Sequence, residues 1–318
     1  MSDAAKPSPA RDAGPKTAIG RFFDSDLWWS FSHSPLVIIA AIVTVVMIFS
    51  AVFAPLVAPY NPFDLAQLDL MDSLKPPAWL EGGDPRYVFG TDDQGRDIFS
   101  TILYGARISL LVGFLSVILA MLIGVTVGLI AGYTGGLTDT ILMRIADVQL
   151  TFPAILIALL VDGVMRGLLP PEMHEEVAIY VLVLAIALSS WVQYARTVRS
   201  SALVERTKEY VQAAQVIGLP APLILFRHIL PNVMGPVLVI ATIQLALAII
   251  IEATLSFLGV GVPPTSPSLG TLIRIGNDYL FSGEWWITVF PGLALIILVL
   301  AVNLLGDWLR DALNPKLR

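Results

Sequence analysis

Few side chains in this sequence could do covalent chemistry. Its 318 residues hold three histidines and no cysteine. That excludes disulfides and thiolate metal sites, and the pair His174-Glu175 lacks the second histidine that a zinc-binding helix needs. No glycine is followed by lysine, so there is no phosphate-cradling Walker A loop. What remains is charge set into an apolar chain. The segment DDQGRD, residues 92–97, places Asp92, Asp93, Arg96 and Asp97 in six positions. Mutual pairing that fixes a loop is the first reading, and contact with a protein outside the membrane is the second. Glu252 is the one clear acid deep within an apolar run. A charge there is costly and faces a bundle interior, a partner or a water path, with structural pairing the plainer role and ligand contact the sharper one.

A second cluster is more patterned. The stretch EYVQAAQVIGLPAPLILFRHILPN, residues 209–232, interrupts two long apolar runs. Residues 205–217 have the length for a short helix, with Tyr210, Ala213, Ala214 and Ile217 on one face by the 3, 4, 7 spacing. Gly218 can supply a left-handed cap, and Pro220 and Pro222 prevent continuation. Small alanines suit a helix that sinks into a partner's groove. A helix lying on lipid headgroups is the alternative, although that role favours larger apolar side chains.

These residues need elements to position them, and composition says which. The chain is 56% hydrophobic with mean hydropathy +0.78 and only 14% charged, against about 25% charged in a soluble domain. The net charge of −6 gives a nucleic-acid partner no electrostatic support. A bilayer span needs about 20 mostly apolar residues. Six stretches qualify, at 36–58, 105–131, 141–165, 177–199, 233–258 and 287–308. The first is too long for the core of a cleaved leader and reads as a membrane helix. The domain plan is a tail with an interfacial segment at 1–34, a first span at 35–58, a proline-rich acidic loop at 59–104 and a five-helix core at 105–318 that includes the loop 200–232. Gly124, Gly128 and Gly132 recur every four residues and allow two backbones to approach closely. Helix packing is their default role, pore motion the sharper one.

Positive charge sets orientation. With both termini cytoplasmic, 13 of the 19 Lys and Arg residues lie on or near the inner side: Lys6, Arg11, Lys16, Arg21, Arg144, Arg196, Arg199, Arg206, Lys208, Arg227, Arg310, Lys316 and Arg318. The reverse topology would invert that bias. The loop 200–232 is then cytoplasmic and the loop 59–104 extracytoplasmic. The turn built from Gly259, Gly261, Pro263 and Pro264 cannot be helix. It reads as a structural turn near an outer gate rather than a substrate site.

The stretch 209–232 resembles the EAA loop of ABC importer permeases. Ala213-Ala214, Gly218 and Leu230-Pro231 stand at that motif's offsets, Glu209 matches the acid of the peptide-importer branch, and Gln212 and His228 depart from the common pattern. FGTDDQGRDIFSTILYGARISLLVG (89–113, with Thr101 a departure), LSFLGVGVPPTSPSLG (255–270) and NLLGDWLRDALNPKLR (303–318) are similar to further signatures of the dipeptide and oligopeptide permeases. The loop after the first span and the C-terminal signature favour the DppC/OppC-type subunit.

The resemblance implies an all-α integral membrane protein with six transmembrane helices, the type I ABC importer permease fold and a cytoplasmic coupling helix. It implies coupling to an ATPase through Glu209, Tyr210, Ala213, Ala214 and Gly218. Asp92, Arg96, Asp97, Gly259 and Pro263 would belong to the extracytoplasmic loop or gate. It further implies a multi-pass location in a bacterial inner membrane. The partners would be a homologous DppB/OppB-type permease, two DppD/DppF-like ATPase subunits, an extracytoplasmic solute-binding protein and membrane lipid. ATP and Mg would be used by those ATPases, with no cofactor on this chain and no catalytic role. Dipeptides or oligopeptides lead as solutes. Nickel complexes, glutathione and oligosaccharides are carried by related systems. A self-contained secondary transporter would instead show interrupted spans and several intramembrane charges.

Overall fold

In the computed structural model, which describes residues 26–64 and 68–312, helices succeed one another along nearly the whole chain. The basic tail containing Lys6, Arg11, Lys16 and Arg21, and the end containing Lys316 and Arg318, lie outside the described residues. A short helix α1 (Asp26–Ser32) precedes α2 (Pro35–Val52), whose apolar side chains stay largely uncovered, as a lipid-facing helix requires. Pro55 stops α2 at Phe53, and one further turn, α3 (Ala54–Val57), completes that run. An irregular loop follows. Then α4 (Ile98–Thr134) runs 37 residues, started by Asp97, whose carboxylate accepts from the Ser100 amide at 2.8 Å.

The expected third span is not one helix. It forms α5 (Gly136–Leu150) and α6 (Ala154–Leu168), bent by 97°. The break falls at Thr151, Phe152 and Pro153, because the residue before a proline is pushed out of helical backbone. Three further regular spans follow: α7 (His174–Glu205), the run of α9 (Ala221–Ile224), a π-helical turn (Leu225–Ile229) and α10 (Leu230–Phe257), and finally α12 (Trp286–Ala312). The short α8 (Glu209–Val216) lies between α7 and α9. Among the described residues, five helices are thus long and apolar enough to cross a membrane, six if the bent pair counts as one span.

The connection 259–286 begins with the turn of Gly259, Gly261, Pro263 and Pro264, and then contains an eleven-residue helix, α11 (Leu269–Tyr279), that the sequence reading did not assign. Ser268 caps it, accepting from the Thr271 amide at 3.3 Å, and Leu269, Leu272 and Gly276 point inward at helical spacing.

The tightest seam joins α4 to α7. A methyl group added at Gly124 would meet the Trp191 carbonyl at 2.4 Å, at Gly128 the Ala195 carbonyl at 2.5 Å, and at Gly132 the Ala202 side chain at 2.8 Å. Here the four-residue spacing serves helix packing. Gln149 of α5 donates to the Leu188 carbonyl and accepts from Trp191 Nε1 at 2.7 Å, tying the bent pair to α7. At the end where the described chain starts and stops, Phe31 and Trp308 stack edge to face at 5.3 Å. The 59–97 loop sits at the other end of the bundle. There Trp286, at the start of α12, donates from Nε1 to the Thr91 carbonyl at 3.0 Å.

Gly128→Leu should collapse this seam, with a loss of about 3 kcal/mol or more because backbone rather than flexible side chain stands in the way. Gly163→Ala in α6, with nothing within 4 Å, should be neutral or slightly stabilising. Thermal unfolding of the two purified variants in detergent checks the contrast.

Candidate functional site

The helix α8 is placed by its neighbours rather than by its own eight residues, which are too few for a stable isolated helix. Val211 is fully covered and Ala214 is 4% exposed, both set into a cluster with Ile224, Ile229, Val233 and Val198. Polar ties fix the rim. The Tyr210 hydroxyl donates to Glu205 and accepts from Asn232 Nδ2 at 3.0 Å, and the same amide reaches the His228 carbonyl at 2.7 Å. Gly218, at φ +84°, closes the helix. Its amide bonds the Gln215 carbonyl at 3.0 Å and the next amide, of Leu219, bonds Ala214 at 3.1 Å. That is the paired pattern of a glycine-terminated helix.

The expected stripe of Tyr210, Ala213, Ala214 and Ile217 is divided by the structure. Ala214 faces the bundle beside Val211, while Ala213, Val216 and Ile217 face away, with Val216 and Ile217 88% and 77% exposed. Glu209 is also exposed, and Tyr210 sits at the edge, 38% exposed. The reason is that the covering side chains, Ile224, Ile229 and Val233, approach on the Val211–Ala214 side. Two adjacent apolar stripes in one helix do not reveal which of them a later segment covers. Sequence reasoning missed Val211 as the anchor and Val216 as part of the outer face.

Directly beneath α8, the cation of Arg206 donates to the Gly132 and Tyr133 carbonyls at 3.2 and 3.3 Å, at the end of α4, where a helix carries partial negative charge. Arg199 pairs with Asp139 of α5 through two hydrogen bonds, one of 2.6 Å. The α8 helix therefore stands on the joined ends of α4, α5 and α7.

At the opposite end, Asp92 organises a tight loop. It accepts from the Gln94 and Arg96 amides at 2.9 Å each and pairs with Arg96 Nε at 2.6 Å. Both side chains of that pair are 3% exposed. Burial pushes the Asp92 carboxyl up, against the pull of Arg96. Asp97 spends its carboxylate on capping α4, and Asp93 reaches the Tyr279 hydroxyl of α11 at 3.4 Å. A neighbouring network gathers around Asp72. Lys75 pairs with it, Tyr87 donates to it at 2.7 Å and Arg86 approaches at 3.2 Å. The Lys75 and Tyr87 hydrogen bonds hold the Asp72 carboxyl below its usual range. Burial and that carboxylate push Tyr87 up to about 12. A lowered carboxyl stabilises the fold above the ordinary carboxylate range, and this contribution is lost as pH falls through the folded value.

Gly259, at φ +82°, ends α10 by the same paired bonding, and a methyl there would strike Arg274 Nη1 at 2.7 Å. Pro263 is half-buried in the following turn. Glu252 is fully covered; Ser256 donates to its Oε1 at 2.7 Å, and among the described residues no ion pair reaches it. The structure thus separates the singled-out residues into two groups, one at each end of the bundle.

An all-helical bundle with a pinned surface helix at one end is the architecture of a membrane-spanning permease subunit. The chain matches the family model "Binding-protein-dependent transport system inner membrane component" over residues 124–318 and "N-terminal TM domain of oligopeptide transport permease C" over 23–77. It is 41% identical to the dipeptide transport system permease protein DppC of Escherichia coli strain K12, over 92% of this chain and 93% of that protein. It is 38% identical to the di/tripeptide transport system permease protein DppC of Pseudomonas aeruginosa, over 92% of each. It is also 38% identical to the oligopeptide transport system permease protein OppC of Bacillus subtilis, over 92% of this chain and 90% of that one. A chain of the MetNI methionine ABC transporter, solved facing inward, shares the fold with a TM-score of 0.52 at 21% identity, covering 68% of this chain and 98% of that one. The chain belongs to the binding-protein-dependent ABC importer permeases, multi-pass proteins of the inner membrane that work with an ATPase, a binding protein and a paired permease.

Gly218→Val should destabilise the α8 terminus by about 1–2 kcal/mol through its left-handed backbone, while Gly218→Asn should be tolerated. Hydrogen exchange of the α8 amides distinguishes the two variants from the parent.

Proposed function

We propose that this chain is the C-type permease subunit of an ATP-driven importer for dipeptides or oligopeptides, and that α8 is its coupling helix. One observation carries the second part. An apolar outer face of Ala213, Val216 and Ile217 is held away from the bundle by the buried anchors Val211 and Ala214. Exposed apolar residues on a rigidly seated helix fit a groove in another protein. The small Ala213 permits close approach, and Glu209 opens the helix with a favourable negative charge.

In this reading α8 and both termini are cytoplasmic, as the inner-side excess of Lys and Arg favours. The 59–97 loop faces outward. ATP and Mg belong to two partner ATPases, since the chain has no Walker A loop, and it performs no catalysis of its own. ATP binding closes the ATPases and moves α8. Because Arg206, at the end of α7 and three residues before α8, bonds the end of α4, that displacement reaches α4 and α7 together. The path between this subunit and its homologous DppB/OppB-type partner then opens outward to receive solute from the binding protein. The names of the relatives support peptides as cargo. Nickel complexes, glutathione and oligosaccharides are the competing solutes in a transport panel.

Ala213→Arg combined with Ile217→Asp alters only exposed positions. It should leave expression and unfolding temperature unchanged and lower peptide uptake about tenfold or more, with loss of binding-protein stimulation of ATP hydrolysis. Ala214→Arg, in contrast, forces a charge into a buried seat and should unfold α8. Normal uptake by the double variant at normal abundance would refute the coupling role.

A further inference from the structure

Glu252 is a buried acid that the coupling path leaves unused. Its side chain is fully covered, Ser256 donates to Oε1 at 2.7 Å, and Oε2 is equally covered with no hydrogen-bond partner. The hydroxyls of Ser268 and Ser109 face the same carboxyl. These groups come from three elements: Glu252 and Ser256 from α10, Ser109 from α4, and Ser268 from the cap of α11. Arg107 of α4 and Arg274 of α11, the basic residues nearest in sequence to those two hydroxyls, are both exposed.

An ionised carboxylate in that setting would hold its charge out of water with only hydroxyls around it, which is costly. A carboxylic acid avoids that cost and gains a donor. An O–H on Oε2 would find its acceptor in the oxygens of Ser268 and Ser109. The junction has no slack. A methyl added at Gly270 of α11 would strike the Ala253 carbonyl of α10 at 2.3 Å, and one at Gly105 of α4 would come within 3.3 Å of the Leu269 amide nitrogen. That amide, the first of α11, donates to Ser109 Oγ at 3.2 Å. Further along α11, a methyl at Gly276 would meet the Thr288 nitrogen of α12 at 2.6 Å. The α11 helix is therefore wedged against α10 and α4 at its start and against α12 near its end.

We infer that Glu252 carries a proton and latches the start of α11 to α10 and α4, donating from Oε2 to the Ser268–Ser109 hydroxyl pair. Glu252 is then a positioning residue for transport: it makes α11 follow α10, and α12 follow α11. That role rests on the importer reading above, in which α8 moves α10 through Val233. An apolar side chain at position 252 would fill the space and leave α11 free to lag behind α10.

The test uses the whole transporter in lipid, with its binding protein and a dipeptide. Glu252→Gln keeps the shape, the neutrality and a donor; Glu252→Leu keeps only the bulk. Ser109→Ala is a milder break that leaves the acid in place. The infrared difference between the parent and Glu252→Gln should show one protonated carboxyl, and Glu252→Gln should take up dipeptide at the parental rate. Glu252→Leu and Ser109→Ala should raise hydrogen exchange of the α11 amides by about tenfold and about threefold, with dipeptide taken up per ATP hydrolysed falling by similar factors. A missing carboxyl band, or no transport by Glu252→Gln at parental abundance, overturns the neutral acid. Parental exchange in both Glu252→Leu and Ser109→Ala overturns the latch. Raised exchange with parental uptake per ATP overturns the positioning role and leaves a structural contact. If Glu252→Leu does not assemble, Ser109→Ala decides alone. A parent that takes up no dipeptide with ATP and binding protein present overturns the importer reading, while α11 exchange still judges the latch.

Discussion

The rest of the structure depends on the close approach of α4 and α7. Gly124, Gly128 and Gly132 remove the side chains that would hold these two helices apart, and the backbone of α7 occupies the space. In lipid there is little hydrophobic gain from pressing helices together, so dispersion contacts and small residues must supply the association. Once the seam is made, its end is stabilised by charge: the Arg206 guanidinium sits on the last carbonyls of α4. The chain leaves α7 at that point and forms α8 three residues later. A helix of eight residues with little stability of its own acquires a fixed position from two long ones.

Under the coupling role proposed for α8, this arrangement gives a route from the surface helix into the spans. Force applied to the outer face of α8 passes through Val211 and Ala214 into the side chains of Ile224, Ile229 and Val233, and so into α10. Through Arg206 it passes into α4 and α7. Those three helices continue to the opposite end, where α4 begins beneath the Asp92–Arg96 loop and α10 ends in the Gly259 turn. The two groups of singled-out residues therefore stand at the two ends of the same helices. The importer mechanism requires that connection, because nucleotide acts on one side and solute arrives on the other.

Much of this plan was legible in the sequence. Apolar runs long enough to span a bilayer announce themselves: α4, α7 and α12 each contain the run assigned to them, and α10 contains all of its run but Leu258. The glycine spacing named the seam before its partner was known. The failures are local. Phe152 is apolar and hid the break at Pro153 inside a continuous hydrophobic run, although the proline was the clue. The α11 helix lay hidden behind a glycine- and proline-rich turn, yet Ser268 with Leu269, Leu272 and Gly276 carried a helix signature of cap and period. The inward face of α8 was not readable, because it is decided by side chains 10–22 residues further along the chain that only the folded backbone brings near. The same holds for Arg96. Its spacing to Asp92 suggested a pair, but its burial emerges only when the loop closes over it.

The central claim is that α8 is seated against an ATPase subunit. The chain has no cysteine, so Ile217→Cys places one thiol on the exposed face of α8 with no background. The measurement is cross-linking from that thiol in the assembled, transport-active complex, followed by mass spectrometric identification of the joined protein. The account predicts an ATPase subunit as the product, with a yield that changes when ATP is added. Cross-links confined to lipid or to the partner permease, in a complex that still transports, would contradict it.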